Sequence, residues 1–391
     1  MGANVHQTES TLLQLIQKSL WNIEIPTPDG IDWQAVLEEA EKQAVLGIVI
    51  GAAPSDTQNV WKHKAGRITG DFVRVLHYQG QLYDLLKENG IPMVILKGTA
   101  AAVYYPDPSQ RTMGDIDFLV LPEYFDRAKE LLAQNDYRVE DNPKAPRHLS
   151  IHKDEIRLEQ HRYFSYEGID VEKYVVEGAK NAETKDLFGT EFPMLPRLAN
   201  GLVLLGHMIQ HLKNGLGLRQ VIDWMLYVDR ELDDPFWEQS FEAAAKDTGL
   251  KTAAIVITRM CQMYLGLKEE IRWCKSADTK VCTELMENVL SSGNFDRKRG
   301  KGSSIESVSS SISRKGLFRY LQTAGEYNWK AYQKHKWLKP FAWMYQIGRY
   351  AKKGFGAKRT AKQLKEDIER GRQRSRLLKD LGIDQSKKTP E

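Results

Sequence analysis

The spacing of hydrophobic residues divides the chain into helical and strand-forming stretches. Up to residue 90, apolar residues recur every three or four positions, as in Leu12, Ile16 and Leu20, which is typical of amphipathic helices. Between residues 91 and 165 the pattern changes to short apolar runs bounded by glycine and proline, which predict strands. From residue 196 onward the helical spacing returns.

These patterns predict the elements in more detail. Helices are predicted over 9–20, 32–50, 60–89, 197–213, 219–232, 235–247, 249–265 and 278–291. The middle stretch is predicted to form strand 93–96, a short helix after Gly98, strand 116–121, helix 123–135 and strands 137–140, 148–152 and 155–162. A strand–helix–strand–helix unit followed by a hairpin is typical of an α+β core. We therefore predict an α+β fold with a small mixed sheet, flanking helices and a largely helical C-terminal half.

Five parts follow from this organisation. We predict an N-terminal helical element over 1–90, an α+β core over 91–195, a helical domain over 196–291 that closes a cleft, a Ser/Gly-rich linker over 292–315 and an aromatic, basic helical tail over 316–391. The linker is predicted from its run of serine, glycine, lysine and arginine.

The net charge of +4 is distributed unevenly. Residues 331–391 contain 17 Lys and Arg against 6 Asp and Glu, so this end of the chain carries +11 and the remainder −7. Such a tail predicts an anionic partner: nucleic acid, a membrane surface or an acidic protein. The tail aromatics up to about residue 350 are interpreted mainly as packing residues, with single-stranded nucleic acid and membrane binding as alternatives. Residues 352–376 are predicted to form a solvated basic face.

Several classes of protein are disfavoured by composition. No apolar run approaches the roughly 18–20 residues that a membrane-spanning helix needs, so no transmembrane segment is expected. The first ten residues do not have the pattern of a secretory signal. Cys261, Cys274 and Cys282 are too few and too irregularly spaced for a disulfide framework or a zinc knuckle. A cytoplasmic location fits best.

The sharpest chemical feature is the sequence Gly114-Asp115-Ile116-Asp117 at the start of a predicted strand. Alternate residues of a strand point to the same side, so Asp115 and Asp117 are expected side by side. Two neighbouring carboxylates repel each other unless a cation lies between them. Mg²⁺ prefers such oxygen ligands, and one or two of these ions suit phosphoryl-type transfer.

Two other segments support that chemistry. Lys97-Gly98-Thr99 stands at a predicted strand-to-helix turn, where backbone N–H groups can approach a phosphate closely. On a later strand, Glu159 and His161 share one face and supply a third acid. Either segment alone is also compatible with an ordinary turn or a solvated strand face.

The helical half contributes a second polar group. His207 and His211 are four residues apart, on one helix face, and are interpreted as site-lining hydrogen-bonding residues, substrate contacts or metal ligands. Arg219 and Asp223 have the same spacing, for which a salt bridge within the helix is the default interpretation.

The run from 96 to 120, with Leu96-Lys97-Gly98, Tyr105-Pro106, Arg111 and 114–120, resembles the uncharacterised bacterial nucleotidyltransferase-like family of the DNA polymerase beta superfamily. The later strand and the histidine and Arg-Asp pairs match that family's order, over roughly residues 10–265.

The resemblance implies specific roles for these residues. Asp115, Asp117 and Glu159 would hold the metal, with Glu159 also able to deprotonate the acceptor. The predicted nucleotide-binding residues are Lys97, Gly98, Thr99, Arg111 and Gly114, and the predicted substrate-lining residues are His161, His207, His211 and Arg219. The superfamily usually has Gly-Ser or Gly-Gly at the turn, and the Thr99 hydroxyl could serve similarly.

The predicted function is Mg²⁺-dependent transfer of a nucleoside monophosphate from a nucleoside triphosphate to an unidentified small-molecule or protein acceptor, with release of pyrophosphate. Two alternatives remain at this point. One is a non-catalytic nucleotide-binding or regulatory protein on the same fold. The other is a protein that binds nucleic acid or membrane through its basic tail.

Overall fold

The computed structural model describes residues 3–23, 26, 29–140, 148–166, 168–212, 215–294, 317–354 and 361–383. It is an α+β structure, as predicted, with one seven-stranded mixed sheet, a two-stranded hairpin and many helices. Most of the predicted linker, residues 295–315, lies outside the described residues.

Four helices precede the sheet: α1 Ala3–Trp21, α2 Trp33–Lys42, α3 Leu46–Val49 and α4 Ser55–Glu88. Asp32 caps α2, because its side chain accepts a hydrogen bond from the backbone N–H of Ala35. The single helix predicted over 32–50 is wrong, since the chain turns at Ala44, whose φ is +58°. An alanine rarely adopts this left-handed conformation, and nothing in the local sequence indicates it.

The central elements are β1 Met93–Leu96, α5 Gly98–Ala102, β2 Ile116–Val120, α6 Phe125–Gln134, β3 Arg138–Glu140, β4 His148–Lys153, β5 Ile156–His161, β6 Ser165–Tyr166, β7 Ile169–Asp170, α7 Glu172–Lys180, β8 Glu183–Leu187 and β9 Thr190–Met194. The seven-stranded sheet has the order β3-β4-β5-β2-β1-β9-β8, and β6 pairs with β7 in the hairpin.

Strand β2 occupies the centre of the sheet and is buried along its whole length. It runs antiparallel to β1 and parallel to β5. Near-continuous hydrophobicity is typical of a strand covered on both faces. The start of β2, which follows Gly114, therefore lies beside the end of β1 and the middle of β5. The polar residues collect at this place.

The helical half comprises α8 Arg197–Leu212, α9 Leu218–Glu231, α10 Asp234–Phe236, α11 Glu242–Asp247, α12 Lys251–Leu265 and α13 Thr279–Ser292. The helix predicted over 235–247 is interrupted by a π-helical turn, Trp237–Phe241. There Trp237 stacks on Trp273 with ring centroids 4.0 Å apart. The three cysteines are buried, free residues within this half.

The described tail consists of α14 Leu317–Asn328, α15 Lys330–Lys334, a 3₁₀ helix Lys336–Phe341, α16 Ala342–Gly354 and α17 Ala361–Asp380. The end of α17 packs against α13, and Leu377 and Leu378 are fully buried there. Arg374 is buried as well and donates to Ser292 at 3.2 Å, so the prediction of a solvated face over 352–376 is wrong at this residue. Among the described helices, none combines the length and apolar character needed to cross a membrane.

Candidate functional site

Sheet pairing brings together carboxylates that are distant in sequence. Asp117 on β2 lies opposite Leu96 on β1 and opposite Glu159 on β5. Because laterally paired residues of neighbouring strands point to the same face, Asp117 and Glu159 extend to one side of the sheet. Asp115 stands immediately before β2 and is partly buried. The three predicted acids therefore meet at one place.

The turn after β1 holds a lysine against this acid group. Lys97 has φ +56° and ψ −138°, and Gly98 follows with φ +37°. A residue with a side chain rarely adopts such a conformation, which stores strain of roughly 1–3 kcal/mol. The turn directs Lys97 Nζ to Asp117 Oδ1, 2.6 Å away, and both side chains are buried. On the same oxygen, His161 Nε2 lies at 2.8 Å, so Asp117 is engaged by two donors.

The acids have opposite electrostatic environments. Burial alone would raise the pKa of Asp117, but Lys97 and the hydrogen bond from His161 hold that pKa well below its usual range. Burial, followed by repulsion from Asp117 and Asp115, raises the pKa of Glu159 to about 7. Arg157 donates to Glu159 but is half exposed, and it does not offset these effects. A cation placed between the carboxylates would favour their charged forms.

A cavity of about 320 Å³ opens above these residues. Its walls are formed by Lys97, Gly98, Arg111, Gly114, Asp115, Asp117, Arg157, Glu159, His207, His211 and Arg219. Ten of these eleven are residues that the sequence singled out, and they come from both the sheet and the helical half. The volume is in the range of small-molecule sites, roughly 300–1,000 Å³.

Thr99 and His161 do not line this cavity. The Thr99 side chain is buried and its hydroxyl donates to Gln79 on α4, so it is directed away from the cavity, and its role toward a phosphate stays a prediction. His161 lies behind Asp117, with its ring near that of Phe164, at 5.4 Å between centroids. Its role in this geometry is to hold Asp117 in place.

Arg111 joins the sheet side of the site to the helical half. Its Nε and Nη2 donate to the two carboxylate oxygens of Asp223 on α9, at 2.8 and 2.7 Å. Tyr105 also donates to Asp223, at 2.8 Å. Both oxygens of Asp223 therefore accept hydrogen bonds from residues more than 100 positions away in the chain. The helical spacing predicted a salt bridge of Asp223 with Arg219 and did not predict this one. No local signal in the sequence identifies this long-range pair.

Arg219 supplies further positive charge to the cavity wall. Its Nη1 donates to the backbone carbonyl of Thr112 at 3.0 Å. Burial, together with repulsion from Arg111, lowers the pKa of Arg219 to about 10. An anion in the cavity would favour the charged form of this guanidinium, because it would replace lost hydration and offset the repulsion.

The histidine pair on α8 forms the roof of the cavity. His207 Nε2 and His211 Nε2 are 2.8 Å apart, so one ring donates and the other accepts. Burial, and then Lys97, lowers the pKa of His207 well below its usual value, while burial and Arg219 lower that of His211 to about 3. The lowered pKa values favour the neutral form of both rings, and neutral rings can still donate or accept a hydrogen bond in the cavity.

A second cavity of about 400 Å³ adjoins the first and shares the wall residues Gly114, Asp115 and Arg157 with it. Its other walls carry Asp71 and Arg74 of α4 and Glu155 beside β5, among other residues. Alternation along β5 places Arg157 on the strand face of Glu159 and His161, but no role in the site was predicted for it. The α4 residues were missed by sequence reasoning.

The donor set fits a hard divalent cation. Ligand atoms of Asp117, Glu159 and His161 lie within 4.8 Å of one another. Asp115 lines the same cavity, so three carboxylates are available to a cation that prefers oxygen ligands. Burial, and then repulsion from Asp117 and Asp115, raises the pKa of Glu159, and a cation bound between these carboxylates would oppose that shift.

Comparison with known proteins identifies the family. A model of the family described as an uncharacterised nucleotidyltransferase matches residues 29–266, more than half of the chain. No curated protein matches the sequence. Among solved structures, an antigenic nucleotidyltransferase-like protein from Paracoccidioides brasiliensis matches 50% of this chain and 93% of its own, at 12% identity and a TM-score of 0.32. The family match alone carries the conclusion: the chain belongs to the uncharacterised nucleotidyltransferase family.

Proposed function

We propose that the chain transfers a nucleoside monophosphate from a nucleoside triphosphate to a hydroxyl or similar group of an acceptor, using Mg²⁺. One observation carries the proposal. A single cavity is lined by three carboxylates, Asp115, Asp117 and Glu159, and by cationic groups including Lys97 and Arg219. A metal-bound polyphosphate needs both kinds of charge in one place.

In this proposal Asp115, Asp117 and Glu159 hold one or two Mg²⁺ ions, which would neutralise phosphate charge and orient the reacting oxygens. Gly98 lets the backbone approach the phosphates because it has no side chain at the cavity wall. A Cβ built there would point into open space, with its nearest neighbour at 3.9 Å, and the φ of +37° favours glycine. Lys97 and Arg219 offset the charge of the β- and γ-phosphates. The acceptor oxygen forms a bond to the α-phosphorus, and the bond from that phosphorus to the pyrophosphate oxygen breaks.

Glu159 is suited to take the proton from the acceptor. Its carboxylate lines the cavity beside Asp115 and Asp117, and a bound Mg²⁺ would keep it charged and so able to accept a proton. His207 and His211 remain neutral and can hydrogen-bond to the bound molecules without adding charge. The adjoining cavity on the α4 side offers an approach to Asp115 for the acceptor.

The proposal is tested by calorimetric titration of ATP, GTP, CTP and UTP, each with and without Mg²⁺. The key variant is Asp115→Asn/Glu159→Gln, because it keeps Asp117, the partner of the buried Lys97. We expect Mg²⁺-dependent binding of at least one nucleotide by the wild type, and a loss of about 100-fold or more in the variant, since each substitution removes a charged ligand.

The matched control is Asp84→Asn/Asp126→Asn, which neutralises two acids on α4 and α6 outside the cavity lining. It is expected to bind nucleotide as the wild type does. Failure of the folded wild type to bind any of the four nucleotides with Mg²⁺ would contradict the proposal. Binding without release of pyrophosphate in the presence of candidate acceptors would favour a non-catalytic nucleotide-binding protein instead.

A further inference from the structure

Two helices of the basic tail pack against each other with an unusual distribution of apolar residues. Helix α16 packs against α14, and its inward face includes Ala342 and Gln346, which are 0% and 1% exposed. A polar residue, Gln346, thus occupies a buried position on this face. A helix that only stabilised the protein would place its larger apolar residues on this inward side.

The larger apolar residues of this segment are exposed, Met344 and Ile347 on α16 and Trp337 and Phe341 in the 3₁₀ helix Lys336–Phe341 that precedes it. Trp337, Phe341, Met344 and Ile347 follow one another at three- or four-residue spacing and are 71%, 49%, 53% and 45% exposed. We call these four residues the apolar tail face. Single exposed apolar side chains are common, but four within the eleven residues 337–347 are typical of an interaction surface.

The same segment is strongly basic. Residues 317–354 contain eight Lys and Arg and one Glu, a net charge of +7. Three of the lysines, Lys334, Lys336 and Lys339, are exposed next to the apolar tail face in the chain. The partner must therefore offer negative charge together with an apolar phase.

We propose that the apolar tail face binds the surface of an anionic lipid bilayer. Lysines near such a surface are attracted by its negative charge, and tryptophan is enriched at the boundary between headgroups and acyl chains. Met344 and Ile347 would enter the acyl region, whereas single-stranded nucleic acid is bound by stacking on aromatic rings and gives these two residues no role. None of the described helices is long and apolar enough to cross a membrane. In this proposal the segment therefore lies on the membrane surface.

The proposal is independent of nucleotide binding and can be tested on the full chain. Co-sedimentation is measured with vesicles of phosphatidylcholine alone and of phosphatidylcholine mixed with phosphatidylglycerol. We expect binding to the mixed vesicles only, weakened by salt. Trp337→Ser/Phe341→Ser should weaken that binding by at least about tenfold, because two large apolar side chains no longer enter the lipid.

The matched control is Val60→Ser/Val73→Ser, which removes two apolar residues of α4 that are equally exposed, and it should bind like the wild type. Because all four side chains are exposed, both variants should fold, which circular dichroism checks. The proposal is overturned if the wild type does not bind mixed vesicles or if the tail variant binds them as well as the wild type does. It is also overturned if the tail substitutions abolish binding to a single-stranded oligonucleotide, or self-association, and leave vesicle binding unchanged.

Discussion

Lys97 combines a strained backbone with a buried ion pair, and both depend on the acid it contacts. Its φ of +56° places Nζ 2.6 Å from Asp117, which lies deep in the cavity wall. A buried charge without its partner is costly, so the geometry makes the two residues mutually dependent. In the proposed function, the same lysine must also serve the phosphates once a metal ion engages Asp117.

Lys97→Met tests this dependence. The substitution keeps the side-chain length and leaves Asp117 with His161, so we expect the free energy of unfolding without metal to fall by roughly 3–5 kcal/mol. Mg²⁺ should then raise the melting temperature of the variant more than that of the wild type, because the ion replaces the missing positive charge. Differential scanning calorimetry with and without Mg²⁺ measures both effects.

Lys62→Met is the control, since Lys62 is exposed on α4 and its loss should change stability by less than about 0.5 kcal/mol. An equal response of variant and wild type to Mg²⁺ would show that Lys97 does not substitute for a cation at Asp117.

At the scale of elements, the connection between β2 and α9 depends on Arg111 and Asp223. Asp223→Ala removes both acceptors of the buried guanidinium and is expected to destabilise the protein by about 3–5 kcal/mol in urea denaturation. Glu242→Ala, which breaks the surface pair with Lys251, should cost about 1 kcal/mol or less. A similar small loss for both variants would mean that Arg111 finds another partner.

The histidine pair of α8 gives the stability a defined pH dependence. Burial keeps both rings neutral in the folded protein, while the unfolded chain protonates them below a pKa of about 6.5. Unfolding therefore takes up protons, and stability is lost as the pH falls through about 6.5, by up to about 2 kcal/mol per ring at pH 5.

His207→Gln/His211→Gln should reduce this acid-induced loss, measured as the difference in the free energy of unfolding between about pH 7.5 and about pH 5. His63→Gln, at an exposed position of α4, should leave the difference unchanged. If the double variant loses as much stability on acidification as the wild type, the pair is not kept neutral by burial.

The sequence predicted those elements whose signal is local. Strands β1 and β2 were predicted from short apolar runs between turn residues, and the long helix ending at Glu88 was predicted from its periodicity. The structure confirms all three. The hairpin of β8 and β9 was not predicted. Its outer strand, β8, is polar and largely exposed, so it lacks the alternation of apolar and polar residues that predicts a strand. It joins the sheet by pairing with β9, which in turn pairs with β1.

The candidate site was predictable in its residues and not in its contacts. The spacing of Asp115 and Asp117 gives their common face, but only the parallel register of β2 and β5 places Glu159 beside Asp117. The inward direction of the Thr99 hydroxyl depends on Gln79, twenty residues earlier on α4. Long-range contacts of this kind have no counterpart in a local pattern.

At the scale of the whole molecule, the two ends of the basic tail have different environments. The aromatic hairpin of α14 and α16 exposes apolar side chains, whereas the end of α17 returns to the helical half. Leu377, Leu378 and Leu381 are fully buried in the same hydrophobic core that contains α1 and the sheet. The end of α17 is therefore anchored in the core of the protein.

This anchoring predicts a contrast between neighbouring positions of α17. Leu378→Ala should destabilise the protein by about 2–5 kcal/mol, because it leaves a cavity against the helical half. Lys379→Ala, one residue later and exposed, should change stability by less than about 0.5 kcal/mol. The measurement is urea denaturation of the full chain, followed by tryptophan fluorescence. If Leu378→Ala unfolds at the wild-type midpoint, the end of α17 does not form part of the cooperative core, and the tail would extend from the body without this anchor.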